Sequence, residues 1–177
     1  MSKILIGVTG GIASYKTAAL VSQLVQADHD VQVVMTHAAE KFIGQATFSA
    51  LTGKPVAMQT FHPQYPLGAH IQLARDYELL CVAPATANFM AKSVHGIADD
   101  LLSTLYLCFT GPVVMAPAMN NEMWTKPSVQ RNEKQLKSDG VHLVGPEEGW
   151  LSCRVRGLGR MSEPDTILAA IQATLKK

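Results

Sequence analysis

The chain has 177 residues, of which 47% are hydrophobic and 16% are charged, and its 15 Lys and Arg nearly balance its 14 Asp and Glu. This length suits one sizeable hydrophobic core, so we expect a single domain over residues 1–177. The balanced charge disfavours nucleic acid and anionic membranes as partners and favours a small-molecule ligand. No apolar stretch is long enough to span a bilayer.

The three cysteines indicate a reducing compartment. Cys81, Cys108 and Cys153 cannot all pair, show no C-x-x-C spacing and follow no secretory signal. We therefore expect a cytoplasmic protein, and we expect no metal site.

The chain begins with a strand that leads into a glycine turn. Residues 3–8 form a continuous apolar run, which is typical of a buried parallel strand, and Gly10 and Gly11 follow. A helical pattern starts at Ser14, so free N–H groups and the helix dipole face the turn and favour an anion there. Tyr15 occupies the position of the second glycine of a nucleotide-triphosphate loop, which favours phosphate binding over ATP hydrolysis. A tight turn without a ligand is the alternative.

The next unit repeats the strand–helix order. We predict a second strand at residues 31–35, an exit from this strand at residues 36–39, and a helix that then continues to about residue 51. Phe42 in this helix either covers a planar ligand or packs in the core. The irregular segment 54–69 then leads to His70, whose side chain can transfer protons near neutral pH. Because a lone loop histidine usually has no such role, the residue type alone leaves its function open.

The clearest buried strand spans residues 79–83. The turn that follows, residues 84–88, consists of small residues over which a flat ligand could approach the backbone. Asp99 and Asp100 open the next helix, where the helix dipole favours acidic residues and capping explains them.

A further apolar run, residues 113–116, breaks at Pro117 and is followed by Met119, Asn120 and Met123. Ligands of open α/β sheets bind at the carboxyl ends of the strands, where this loop is expected. The Asn120 amide offers hydrogen bonds to a bound carboxylate or carboxamide. The alternative is a plain turn in which the methionines fill the core.

The last part of the chain contains a glycine- and arginine-rich segment. After a helix at residues 125–139 and a short strand at 141–144, residues 146–161 combine Cys153 with three glycines and three arginines. This composition predicts a mobile flap, in which basic neighbours favour the thiolate of Cys153. Residues 162–165 have the pattern of a capping box that starts a last helix.

Five motifs in this order resemble the flavin-containing cysteine decarboxylases, and among them those that act on phosphopantothenoylcysteine in coenzyme A biosynthesis. The motifs are Gly7 to Ala13, Gly68 to Ile71, Pro84 to Asn88, Pro117 to Trp124, and Cys153 with Gly157 to Met161. The resemblance spans nearly the whole chain. It implies a flavodoxin-like (Rossmann-like) α/β fold with a doubly wound parallel sheet in a single domain.

The resemblance also implies a cofactor and a set of site residues. FMN would bind with its phosphate near the glycine turn and its ring near the turns after the second and third strands. The implied cofactor-binding residues are Gly10, Gly11, Ile12, Ala13, Thr36, Phe42, Ala85, Thr86, Ala87 and Asn88. Asn120 would hold the substrate carboxylate beside Met119 and Met123. His70 and Cys153 would be catalytic, with Cys153 as a proton donor.

The implied reaction converts 4′-phosphopantothenoylcysteine to 4′-phosphopantetheine. Oxidation of the substrate thiol by FMN creates an electron sink, CO₂ leaves, and the electrons return while Cys153 protonates carbon. The resemblance further implies a homotrimer or a dodecamer of trimers, with His70 near a neighbouring chain. One departure is visible, because Arg154 and Val155 replace the Gly-Asp pair that usually follows this cysteine.

Three alternatives share the fold. A peptidyl-cysteine decarboxylase is the nearest. A flavin prenyltransferase would not need a flap cysteine, so Asn120 and Cys153 speak against it. A non-enzymatic flavodoxin-like binding protein could dispense with His70 or Asn120, and both residues are present.

Overall fold

The computed structural model of the protein describes residues 1–176. Its centre is a parallel sheet of five strands in the order β2-β1-β3-β4-β5. These strands are β1 (Lys3–Val8), β2 (Asp30–Met35), β3 (Leu79–Ala85), β4 (Val113–Pro117) and β5 (His142–Leu143). The order reverses between β1 and β3, which is the switch point of a doubly wound sheet. The predicted flavodoxin-like α/β fold is confirmed.

Eight α-helices cover both faces of this sheet. They are α1 (Ser14–Gln26), α2 (Gln45–Thr52), α3 (Ala69–Asp76), α4 (Ala87–His95), α5 (Leu101–Cys108), α6 (Asn121–Trp124), α7 (Pro127–Ser138) and α8 (Pro164–Leu175). Apolar residues of α1, α2 and α8 form one core cluster, and those of α3, α4, α5 and α7 form the other. Within β1, Ile4 and Ile6 belong to the first cluster and Leu5 to the second, as the two-residue period of a strand requires. Both faces of the sheet are therefore buried, which explains its continuous apolar runs.

The predicted flap is more regular than we expected. Strands β6 (Glu147–Trp150) and β7 (Arg156–Arg160) pair antiparallel and form a separate two-stranded ribbon. Residues 152–156 at its tip are exposed. The backbone N–H of Met119 donates to the Gly159 carbonyl at 2.9 Å, which attaches β7 to the loop after β4. Glycine richness thus marks close backbone approach here, and not only freedom of the chain.

Several predicted helix boundaries were wrong. The helix expected to follow the exit at residues 36–39 and to continue to about residue 51 is interrupted: a short 3-10 turn (Ala39–Lys41) comes first, and α2 starts only after Gly44. His70 was expected in a loop but lies in the first turn of α3. The predicted capping box of α8 does not form, because the N-cap residue Glu163 makes no side-chain cap and binds Lys16 instead.

Candidate active site

A cleft of about 820 Å³ lies at the carboxyl ends of the sheet strands, beneath the flap. Its wall combines the turns after β1, β2, β3 and β4 with the flap itself. The lining segments are residues 9–13, 15–16, 36–38, 42, 86–89, 92, 100, 118–120, 123, 150–153 and 159–161. The cleft therefore spans the switch point between β1 and β3, where open α/β sheets bind ligands.

The glycine turn after β1 offers unused hydrogen-bond donors. The backbone N–H groups of Ser14 and Lys16 donate to Gly11 and Ala13 carbonyls at 3.0 and 2.9 Å. Among residues 1–176, the N–H groups of Ile12, Ala13 and Tyr15 have no hydrogen-bond acceptor. These donors lie at the amino-terminal end of α1, so the local dipole and the free N–H groups both favour an anion.

Buried threonine hydroxyls hold the glycine turn and the start of α1 against the end of β3 and the residue that follows it. Thr9 Oγ1 donates to the Pro84 carbonyl at 2.6 Å and accepts from the Thr86 N–H at 3.2 Å. Thr17 Oγ1 donates to the Ala83 carbonyl at 2.7 Å. Sequence reasoning missed these two residues, because their hydroxyl groups act on segments that are distant in the chain.

Nearly all the predicted cofactor residues lie on the cleft wall. Those that line it are Gly10, Gly11, Ile12, Ala13, Thr36, Phe42, Thr86, Ala87 and Asn88. Ala85 is different: it is fully buried, does not line the cleft, and its carbonyl accepts from the Ala118 N–H at 3.1 Å. Its place in the sheet makes it a support for the loop after β4.

Asn120 and Cys153 meet at the other end of the cleft. Asn120 is the N-cap of α6, with Oδ1 accepting from the Glu122 N–H at 2.7 Å. Its Nδ2 donates to Cys153 Sγ at 3.1 Å. Met119 and Met123 line the cleft beside this pair. The cap fixes the amide, so its N–H₂ group points at the flap.

Two flap glycines permit this approach. A Cβ at Gly157 would lie 2.9 Å from Asn121 Cβ, and one at Gly159 would overlap the Met119 carbonyl. Strand β7 can therefore lie directly against residues 119–121. Arg154 at the flap tip has a φ of 64°, a left-handed conformation that favours glycine. The departure from the family pattern thus places an arginine at a turn position whose backbone conformation favours glycine.

His70 does not reach the cleft within one chain. It lies in the first turn of α3, outside the residues that line the cleft. Its Nδ1 atom is buried and has no hydrogen-bond partner among residues 1–176. The structure therefore brings Asn120 and Cys153 together but leaves His70 apart from them.

Two charged clusters on the cleft wall were not predicted. Lys16 and Arg160 both bind the carboxylate of Glu163. The hydrogen bond from Lys16 is the main cause that lowers the pKa of Glu163 below its ordinary value. In the second cluster, Lys92 binds the Asp99 and Asp100 carboxylates at 2.6 and 3.4 Å. Lys16 and Lys92 lie within helical patterns, where sequence alone gives no sign of an ion-pair partner outside the helix.

The three cysteines differ in environment. Burial raises the pKa of Cys81 to about 12, so its thiol stays protonated and unreactive. Cys108 and Cys153 are exposed. Residues 1–176 contain no cluster of His, Cys, Asp and Glu side chains suited to a metal ion. Over the same residues, no helix has the length and apolar character needed to cross a membrane.

A family model described as Flavoprotein matches residues 1–176. The chain belongs to the flavoprotein family. It is 46% identical over 166 residues to the coenzyme A biosynthesis bifunctional protein CoaBC of Bacillus subtilis, covering 93% of this chain and 41% of that protein. For CoaBC of Haemophilus influenzae the identity is 41% over 169 residues, covering 95% and 42%. The chain thus spans about two fifths of the length of these curated relatives.

Two solved structures show the same architecture. The FMN-dependent cysteine decarboxylase SpaF superposes with a TM-score of 0.86 at 34% identity, covering 99% of this chain and 96% of SpaF. A cysteine-to-serine mutant of PPC decarboxylase, complexed with pantothenoylaminoethenethiol, gives a TM-score of 0.91 at 24% identity, with 99% of each chain covered. The second likeness shows the fold alone.

Proposed function

We propose that this chain, as one domain, is an FMN-dependent decarboxylase that converts 4′-phosphopantothenoylcysteine to 4′-phosphopantetheine. The observation that carries the proposal is the contact between the Asn120 amide and the Cys153 thiol, 3.1 Å apart, in a cleft that also contains an anion site. An amide can hold a carboxylate, and a thiol beside it can deliver a proton to the carbon that the carboxylate leaves.

The residues of the cleft fit FMN. The free N–H groups of Ile12, Ala13 and Tyr15 suit a phosphate. Gly10 has no room for a side chain, because a Cβ there would lie 2.6 Å from Ala38 Cβ. The small side chains of residues 86–88 leave space for a flat ring, and the half-exposed ring of Phe42 can cover it. A volume of about 820 Å³ is in the range of small-molecule and cofactor sites.

When bound, FMN supplies the two-electron chemistry that oxidises the substrate thiol and later returns the electrons. The side chains of this chain do the rest. The Asn120 amide donates to the substrate carboxylate and orients its bond to the α-carbon. Met119 and Met123 provide an apolar wall that limits water around the carboxylate, which favours its loss as neutral CO₂. The Cys153 thiol then protonates the carbon.

The relatives favour this substrate over the alternatives. CoaBC proteins, which are more than twice as long as this chain, are named for coenzyme A biosynthesis, and they are more similar to this chain in sequence than SpaF is. A peptidyl-cysteine substrate remains the second candidate, since SpaF is an FMN-dependent cysteine decarboxylase at 34% identity. A flavin prenyltransferase does not require the Asn120–Cys153 pair. Exposed Cys108 and Cys153 fit our assignment to the reducing cytoplasm.

We also propose that a neighbouring chain supplies His70 to complete the site. His70 does not line the cleft of its own chain, and its buried Nδ1 has no partner within residues 1–176. A homotrimer, or a dodecamer of trimers, would bring this side chain against another copy. Light scattering at micromolar concentration should show a trimer or a multiple of it, and a monomer would contradict this assembly.

The substrate assignment is tested with purified, FMN-supplemented protein. We expect a bound-flavin absorption spectrum and, with 4′-phosphopantothenoylcysteine, release of CO₂ with formation of 4′-phosphopantetheine. A peptide that ends in cysteine should react much more slowly. Faster reaction with the peptide would favour the second candidate, and absence of flavin bands would refute the cofactor assignment.

A further inference from the structure

One carboxylate holds two cations at the base of the flap. Lys16 Nζ donates to Glu163 Oε1 and to the Met161 carbonyl, each at 2.9 Å. The Arg160 guanidinium donates through Nη2 to the same Glu163 oxygen. Neither the predicted site residues nor the proposed function includes this cluster. Its three charges leave a net charge of +1 on the cleft wall.

Lys16 places this cluster close to the glycine turn. It lies in the first turn of α1, and helical side chains point towards the helix amino terminus. Lys16 and Arg160 therefore share a carboxylate near the free N–H groups of Ile12, Ala13 and Tyr15. Arg160 also follows Gly159, whose carbonyl accepts from Met119, so its backbone adjoins the substrate end of the cleft.

Arg160 is the member of the cluster that can meet a ligand. Lys16 is 6% exposed and spends two of its three donors on the protein. The Arg160 side chain is 39% exposed and lines the cleft. Its guanidinium has five N–H donors, and it binds Glu163 through Nη2. By contrast, Lys92 faces two carboxylates, which leaves its cluster with a net negative charge.

The flap is built to hold this guanidinium. The side chain of Arg160 packs over Gly149 of the paired strand, where a Cβ would lie 2.7 Å from Arg160 Cδ. Gly149 thus leaves the room that the arginine stem occupies, and Glu163 fixes its end. A planar guanidinium held in this way matches the oxygens of a phosphate group.

We propose that Arg160, held by Glu163, is a phosphate-binding residue of the cleft. The inference rests on the proposed function, because both FMN and 4′-phosphopantothenoylcysteine carry a phosphomonoester. Either phosphate has the charge and geometry that the guanidinium recognises. The two sources are separated by comparing each phosphorylated ligand with its counterpart that lacks the phosphate.

The cofactor arm measures flavin affinity by fluorescence quenching, with FMN and riboflavin titrated into apoprotein. If Arg160 binds the cofactor phosphate, Arg160→Gln should weaken FMN binding about ten- to a hundredfold and change riboflavin binding by less than about twofold. Arg160→Lys retains the charge and should restore part of the FMN affinity. Arg156→Gln is the matched control, since it removes a flap arginine outside the cleft wall.

The substrate arm measures kcat and KM for 4′-phosphopantothenoylcysteine and pantothenoylcysteine at saturating FMN. If Arg160 binds the substrate phosphate, Arg160→Gln should raise KM about tenfold or more for the phosphorylated substrate alone. Thermal unfolding of each variant checks that the fold is retained.

If Arg160→Gln weakens the binding of the phosphorylated ligand alone in either arm, the proposal is supported and the source of the phosphate is identified. If binding weakens equally for the phosphorylated and unphosphorylated ligands in both arms, or does not weaken in either arm, the proposal is overturned. If the wild-type protein binds FMN but decarboxylates neither substrate, the proposed function is wrong, and the flavin pair alone decides the role of Arg160.

Discussion

At the glycine-turn end of the cleft, Thr9, Ser14 and Thr17 are buried and each donates a hydrogen bond to a backbone carbonyl. At the flap end, Cys153 is exposed at the tip of a two-stranded ribbon, and its Sγ accepts a single hydrogen bond from Asn120. The first end follows β1, which pairs with β2 on one edge and with β3 on the other. The second end depends on one antiparallel strand pair and on its contact with residues 119–121.

This difference separates two tasks. Groups built on rigid, buried elements keep a fixed geometry, which suits the permanent binding of a cofactor. An exposed ribbon with few buried apolar side chains can open at low cost in free energy, which suits substrate entry and product release. We therefore expect substitutions at the first end to affect flavin binding and stability, and substitutions at the second to affect reaction steps.

The largest expected effect is at the flap end, where Asn120 contacts Cys153. Asn120→Asp preserves the cap on the Glu122 N–H but places a negative charge where the substrate carboxylate binds. Like charges at this distance cost several kcal/mol, so decarboxylation should fall more than about a hundredfold. Unfolding temperature and FMN affinity should stay near the wild-type values. A large loss of FMN affinity would contradict the assignment of flavin binding to one end and reaction steps to the other.

The next effect tests the fit of the glycine turn. Gly10→Ala forces a Cβ to within 2.6 Å of Ala38 Cβ, so the turn must shift. Overpacking of this kind costs about 1–3 kcal/mol, and FMN affinity should fall about tenfold. Gly44→Ala is the control, because no atom lies within 4 Å of the added Cβ. Equilibrium titration with FMN compares the two, and equal affinities would contradict a tightly fitted turn.

A smaller effect is expected from loss of the hydrogen bond between the Thr9 hydroxyl and the Pro84 carbonyl. Thr9→Val leaves the buried Pro84 carbonyl without the Thr9 hydroxyl, and should lower the free energy of unfolding by about 1–3 kcal/mol. Thr9→Ser keeps the hydroxyl and should recover most of that stability. Urea unfolding monitors both variants. If Thr9→Val had the same free energy of unfolding as the wild type, this hydroxyl would not stabilise the glycine-turn end.

The smallest effect is expected at the flap tip. In Arg154→Gly, relief of the left-handed conformation is offset by the greater freedom of glycine in the unfolded chain. The free energy of unfolding should change by less than about 1 kcal/mol. Decarboxylation should also be nearly unchanged. A severe loss of activity would show that the tip contributes more than its backbone conformation.

The sheet and most helices were predictable because their signals are local. Residues 3–8 and 79–83 are apolar runs in strands that are covered on both faces of the sheet. Asn120 and Cys153 could be predicted because they lie in motifs of the family. The 3-10 turn before α2 was missed because a helical pattern continues through Gly44. In the Lys16–Glu163–Arg160 cluster, Lys16 binds Glu163, which lies 147 residues further along the chain, so no local pattern could indicate that Lys16 joins the other two residues.

The central claim is that Cys153 at the flap end acts after the steps that the rest of the cleft completes. Mass spectrometry of the product formed by Cys153→Ser tests it most directly. We expect this variant to release CO₂ and to form the oxidised enethiol, lighter than 4′-phosphopantetheine by two hydrogens. Unreacted substrate alone, or ordinary 4′-phosphopantetheine at the wild-type rate, would contradict the claim.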